Sequence, residues 1–182
     1  MMYNQLAVIT NFSTSYMNEK VEGRFLGIDP GLNFTGWGVV KYKGADSFSY
    51  VASGVIKTST KTTHAERLNQ IFLKSLEIIR RYTPEVAAIE DTYVNINNQS
   101  SIKLAQAKAA TIIATSQSKI PLIEYPAKKV KKTITGSGNA DKSQMMKMIK
   151  YWLPDVSTKV SDEADALAIA LCYASHYKHN RK

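Results

Sequence analysis

Cysteine is almost absent: Cys172 is the only one in 182 residues. That excludes an intrachain disulfide and any cysteine-built zinc site. It leaves Cys172 as a small buried hydrophobe in an apolar helix. Histidine is scarce as well. Of His64, His176 and His179, the last two lie in a basic tail, and all three read as solvated, because a metal site needs more ligands. No apolar run reaches about 18 residues, so no transmembrane helix is expected. Residues 1 to 16 contain no lysine or arginine. This argues against a secretory signal or transit peptide and makes the cytoplasm the expected location. Gly31, Gly36 and Gly38 permit close backbone approach but lack dinucleotide-fingerprint spacing. There is no internal repeat.

Acid is the minority charge. Asp and Glu number 15 against 24 Lys and Arg, a net charge of +9. Such an excess suits a polyanionic partner. It is also concentrated, since residues 119 to 150 hold eight lysines and two acids. A hydrophobic share of 44% is ordinary for a globular chain, and the length suits one domain with a full core.

Residues 1 to 23 show no hydrophobic period and read as a poorly packed extension, with Met17 as an alternative start. From Arg24 the pattern sharpens. Residues 25 to 29 form a short apolar strand ending in Asp-Pro-Gly. Residues 35 to 42 and 48 to 56 are β-branched and aromatic-rich, with Lys43-Gly44-Ala45-Asp46 between them, which predicts a three-stranded antiparallel meander. Residues 64 to 82 switch to helical period through Leu68, Ile71, Phe72, Leu76, Ile79 and Tyr82. Residues 86 to 90 read as a buried strand. Residues 100 to 118 read as a helix with Ile102, Ala105, Ala109, Ile112 and Ile113 on its apolar side. Residues 121 to 125 give a fifth strand. A helix over 140 to 153, capped by Asn139, and a last one capped by Ser161 and running to about Tyr177 complete the domain, 24 to 178. A basic tail, 179 to 182, follows. Three strands and then alternating helix and strand predict an α/β fold, a mixed five-stranded sheet flanked by helices.

Four carboxylates stand in telling places. Asp29 ends the first strand in Leu26-Gly27-Ile28-Asp29-Pro30-Gly31, where α/β sheets carry their functional crevice; Asp-Pro-Gly is equally an ordinary turn. Glu90 ends Val86-Ala87-Ala88-Ile89-Glu90. Its neighbour Asp91 points to the other face, so only one of the two can join a cluster. Asp162 and Asp165 lie three apart on one helix face. Favourable charge at a helix N-terminus explains Asp162 and Glu163, with Glu163 solvated, but explains Asp165 less well. Gathered anions repel and lose hydration, a conflict that bound Mg²⁺ removes. In a basic chain this pattern points to metal-dependent cutting of nucleic acid. Lys128, Lys129, Lys131 and Lys132, then a glycine loop, then Lys142, read as a basic turn. It is either a solvated face or a phosphate-gripping rim. Tyr93 leads a polar loop and could stack on a base or anchor that loop.

Taken together, these segments resemble the RuvC family of Holliday-junction resolvases, which have a ribonuclease H-like fold. The resemblance is carried by Gly27-Ile28-Asp29-Pro30-Gly31 with Thr35-Gly36-Trp37-Gly38, Ala88-Ile89-Glu90 with Tyr93, and Leu104-Ala105-Gln106-Ala107. It continues in Glu124-Tyr125-Pro126 with Val130-Lys131-Lys132-Thr133, Gly136-Ser137-Gly138 with Lys142-Ser143-Gln144, and residues 162 to 168. It implies that Asp29, Glu90, Asp162 and Asp165 bind two Mg²⁺ per subunit, with Mn²⁺ as a substitute. Lys131 and Lys142 then contact phosphate near the scissile bond, with Lys128 and Lys132 on the same rim, and Tyr93 touches DNA at the junction centre. It further implies paired nicks in four-way junction DNA by a homodimer that works with the branch-migration proteins RuvA and RuvB. Where the family commonly has Gly-Gln-Ala-Arg-Gly, this chain has Ala105-Gln106-Ala107-Lys108-Ala109, leaving the contacts of Lys108 open. A related nuclease acting on RNA and a non-catalytic junction-binding module remain alternatives. An actin-like ATPase would need a second lobe, for which the chain has no room.

Overall fold

The computed structural model describes residues 22–44, 47–91, 99–158 and 160–179. Strands β1 (Gly23–Asp29), β2 (Phe34–Tyr42) and β3 (Phe48–Lys57) come first. Helix α1 (His64–Tyr82), β4 (Val86–Asp91), α2 (Gln99–Gln117) and β5 (Leu122–Pro126) follow, then α3 (Ala127–Thr135), α4 (Lys142–Trp152) and α5 (Ser161–His179). The sheet order is β3-β2-β1-β4-β5. The first three strands pair antiparallel, while β4 runs parallel to both β1 and β5. The mixed sheet read from the element order is the sheet observed.

Strand alternation divides the core between two faces. Phe25, Val40, Ala88 and Tyr125 pack with residues of α3, α4 and α5. Leu26, Ile28, Val39, Ala87 and Ile89 pack with α1 and α2. Helix α1 is fixed at its start by a capping box in which Thr63 and Glu66 satisfy each other's backbone N–H groups.

Helix α5 is apolar on nearly every side and is the central element of its face, as a buried helix should be. Glycines let it sit almost directly on the strands. A Cβ at Gly27 would stand 2.0 Å from the Ala166 carbonyl oxygen, and one at Gly36 would stand 2.0 Å from that of Asp162. Both obstructions are backbone atoms that cannot turn aside. Gly27→Ala therefore pushes α5 away from β1. It should cost about 1–3 kcal/mol, the scale of overpacking, or roughly 2–4 °C in melting temperature per kcal/mol. An unchanged melting curve would show that the contact is not close.

Several local expectations need correction. The lysine-rich stretch is no turn. Residues 127–135 form α3 because Val130 and Ile134, four apart, are buried under the helix. Helix α4 is capped by Asp141, whose carboxylate accepts from the Gln144 N–H at 2.9 Å, and not by Asn139. Ser161 lies inside α5 as its first residue. Helix α2 buries Ala107, Ala110, Thr111, Ala114 and Thr115, whereas Ile102, Ala109 and Ile113 point outward. Ile102 and Ile113 mark its outer face because this helix meets α1 and their shared core through small residues such as Ala107 and Ala110.

Candidate active site

Register places the first two acids. In the parallel pair of β1 and β4, Ile28 is partnered by Ile89. The next residues, Asp29 and Glu90, therefore leave adjacent strands at the same end, which lie about 4.8 Å apart. Both follow residues of the α5 face, Gly27 and Ala88, by two. The cross-strand partner of Asp29 on β2 is Gly36, the residue pressed against the Asp162 backbone. Close packing of α5 thus carries Asp162, and Asp165 one turn on, to the end of β1. The turn after Asp29 is held firmly. The buried Thr35 hydroxyl donates to the Gly31 carbonyl at 2.7 Å, and Arg67 donates to the Leu32 carbonyl at 3.2 Å.

The electrostatics record this proximity. Burial first, then the carboxylates of Asp165, Glu90 and Asp162, push the Asp29 carboxyl up to about 7 against the opposing pull of Lys142. Glu90 is raised by burial and by Asp165, while Lys131 and Lys108 oppose the shift. Asp165 is raised mainly by burial, with Lys142, a Ser161 hydrogen bond and Lys131 lowering it and Asp162 raising it. Among the described residues, no three Asp, Glu, His or Cys side chains are drawn close enough to enclose an ion. The donor set is all oxygen and anionic, which fits a hard divalent cation such as Mg²⁺ and does not suit a thiolate or imidazole metal. Asp29, Glu90, Asp162 and Asp165 would hold it.

The cations divide into two groups. Lys142, at the start of α4, donates to Ser161 Oγ at 3.0 Å, and Ser161 in turn donates to Asp165 at 3.4 Å. With Lys131 on α3, it forms the positive wall of the acidic cluster. Lys128 and Lys132 are exposed on α3, and neither ammonium has a partner among the described residues. Tyr93 lies outside the described residues.

The structure also shows contacts that the sequence pattern did not. Lys108 is well buried. Its ammonium lies 2.6 Å from Glu124 and 3.6 Å from Asp91, on β5 and β4. Asp91 is therefore engaged away from the cluster, as strand alternation requires. Glu163 is not solvated, because Ser53 donates to it at 2.6 Å. His64 meets the Gln106 side chain at 2.7 Å, and His176 stacks on Tyr125 with ring centroids 5.3 Å apart. His64 thus stays exposed, as expected, whereas His176 is half-buried. Each contact joins residues far apart in the chain or buried by other elements, so no local spacing announces it.

A mixed sheet in this order, with acids at the ends of its two central strands and on the helix laid across them, defines a ribonuclease H-like nuclease. The family model for crossover junction endodeoxyribonuclease RuvC matches residues 25–173. The chain belongs to the RuvC family, whose members are metal-dependent nucleases. A relative of that name from Bartonella henselae is 40% identical over 153 residues, covering 84% of this chain and 90% of the relative. One from Gluconacetobacter diazotrophicus is 42% identical over the same shares. Among solved structures, T. thermophilus RuvC in complex with Holliday junction substrate superposes with a TM-score of 0.81 at 32% identity. That match covers 87% of this chain and 97% of the other. The yeast mitochondrial Holliday junction resolvase Ydc2 shares the fold, with a TM-score of 0.59 at 14% identity, over 87% of this chain and 85% of that one.

Proposed function

We propose that this chain is a junction-resolving endonuclease that makes paired, symmetric nicks in four-way DNA during recombination and repair. What supports the reading is that strand register and the Gly36–Asp162 contact bring Asp29, Glu90 and the first turn of α5 to one sheet end, with Lys131 and Lys142 acting on the same carboxylates. The four acids hold Mg²⁺, two ions per subunit, with Mn²⁺ able to substitute. When bound, the cations supply Lewis-acid activation of water and offset charge on the phosphate. The chain's own residues do the rest. Burial keeps the carboxylates oriented and partly dry. Lys142 and Lys131 stand where negative charge grows on the reacting phosphate. Lys128 and Lys132 grip phosphates farther along the strand, and Tyr93 stacks at the junction centre.

A two-fold symmetric substrate calls for two sites, so the working unit is a homodimer. The outward Ile102, Ala109 and Ile113 of α2 offer it an apolar contact. Residues 24 to 178 act as the nuclease domain, with 1 to 23 an extension and 179 to 182 a basic tail. RuvA and RuvB are the branch-migration partners, and the cytoplasm is the site of action.

The test is purified protein on a mobile synthetic junction with Mg²⁺. Two opposite strands of like polarity should be nicked, leaving 5′-phosphate and 3′-hydroxyl ends that ligase seals, and sedimentation should show a dimer. Ends that ligase cannot rejoin, or a protein that stays monomeric on DNA, would overturn the reading. Lys131→Ala should also flatten the dependence of log K on log salt by about 0.9, the share of one duplex phosphate. An unchanged slope in a filter-binding series would remove Lys131 from the DNA contacts.

A further inference from the structure

Glu163 sits between the two acids of α5, yet its side chain is tied in the opposite direction. Ser53, in the middle of β3, donates its hydroxyl to Glu163 Oε2 at 2.6 Å. The Ser53 oxygen is itself 3.2 Å from the Tyr50 hydroxyl. This bond spans 110 residues of chain and links the edge strand of the sheet to the first turn of α5. On the other side of that turn, Lys142 and Asp165 meet through Ser161. Beneath it the Asp162 backbone rests on Gly36, with no side chain between. The turn that bears Asp162 and Asp165 is therefore held at three points, on β2, on β3 and on α4.

At Gly36 the contact is backbone on backbone, with no side chain seated between helix and strand, whereas farther along α5 the Leu167 side chain lies over Gly38. Gly36 sets how close α5 lies to β2 but not its rotation. The short hydrogen bond from Ser53 at the turn's outer side adds a tie at that first turn, beyond the packed body of the helix. It also draws the Glu163 carboxylate away from the acids on either side, so a fifth negative group does not enter the cluster.

We propose that Ser53 and Glu163 are positioning residues for the metal-binding carboxylates, their hydrogen bond fixing the rotation of the first turn of α5 so that Asp162 and Asp165 face Asp29 and Glu90. The proposal rests on those four acids holding the cation. Its role for Glu163 is that of an acceptor, and charge at that position is dispensable. This separates it from a role as a further metal ligand.

The experiment is calorimetric titration of the DNA-free protein with Mn²⁺, with junction binding in chelator as a parallel measurement. Ser53→Ala and Glu163→Ala should each weaken Mn²⁺ binding by about 10-fold or more, the usual penalty for losing a partner behind a metal ligand. Junction affinity without metal should stay at the wild-type value, which also shows that the variants are folded. Glu163→Gln keeps a carbonyl oxygen for Ser53 and should retain wild-type Mn²⁺ affinity. Wild-type Mn²⁺ affinity in both alanine variants would overturn the proposal while leaving the four-acid site standing. Glu163→Gln as impaired as Glu163→Ala would overturn it in favour of Glu163 as a ligand. No Mn²⁺ uptake by the wild-type chain would overturn both this proposal and the site on which it rests.

Discussion

The Asp29→Asn protein is expected to bind a four-way junction at least as tightly as the wild type and to cut it about 10²–10³-fold more slowly or worse, the scale of losing one electrostatic stabiliser of a transition state. Asp29 is pushed up first by its burial and then by all three of the other acids. It is therefore the group that a cation would relieve most. Asn keeps the shape and one oxygen but contributes no charge. The lysines proposed to attract DNA lie on α3 and α4 and are untouched. A gel shift and a nicking assay on the same preparation separate the two functions. Near wild-type cutting by this variant would remove Asp29 from the centre of the site.

The second large effect is on stability. Asp29, Glu90 and Asp165 all have folded pKa values above their ordinary ones. For an acid raised in this way, the native state holds the proton more tightly than the unfolded chain does. Folding is then most favourable at low pH and loses ground as pH rises through the interval between the two values. For Asp29 that interval runs from 3.8 to about 7 and corresponds to on the order of 4 kcal/mol. In chelator, the melting temperature should fall as pH goes from about 4.5 to 7.5 and then level off. At roughly 2–4 °C per kcal/mol, the drop is easily measured. Mg²⁺ should reverse it at pH 7.5. Asp29→Asn should melt above the wild type in chelator at that pH and gain little from Mg²⁺. A wild-type melting temperature that stays flat or rises over this range would contradict the mutual repulsion of the acids.

The sequence made the scaffold legible wherever one residue pattern met one environment. Strands β1 and β4 are short apolar runs with an acid at the end, and buried central strands look that way. The period of α1 was readable because one face meets the sheet and the other meets water. Helix α2 misled because its buried face is built of Ala and Thr while its isoleucines point outward. Hydrophobic size was then the wrong guide to direction. Helix α3 was hidden because six of its nine residues are lysine or threonine, around only two buried residues, Val130 and Ile134. The acids were visible as a set because their positions at strand ends and on one helix face follow from backbone geometry alone. The Ser53–Glu163 and Lys108–Glu124 contacts were not, since each depends on which elements become neighbours in three dimensions.

The acids come from opposite halves of the chain. Asp29 and Glu90 belong to strands made early, and Asp162 and Asp165 to α5, which comes after all the other described elements. Helix α5 also covers the bare glycines of β1 and β2. During synthesis, a growing chain that has emerged only through α4 has two of the four acids and an unfinished sheet face. Domains fold as units when their last long-range partner arrives. The full set of four acids therefore comes together only with the completed core, and a chain finished through α4 carries the basic helices without the proposed cutting site.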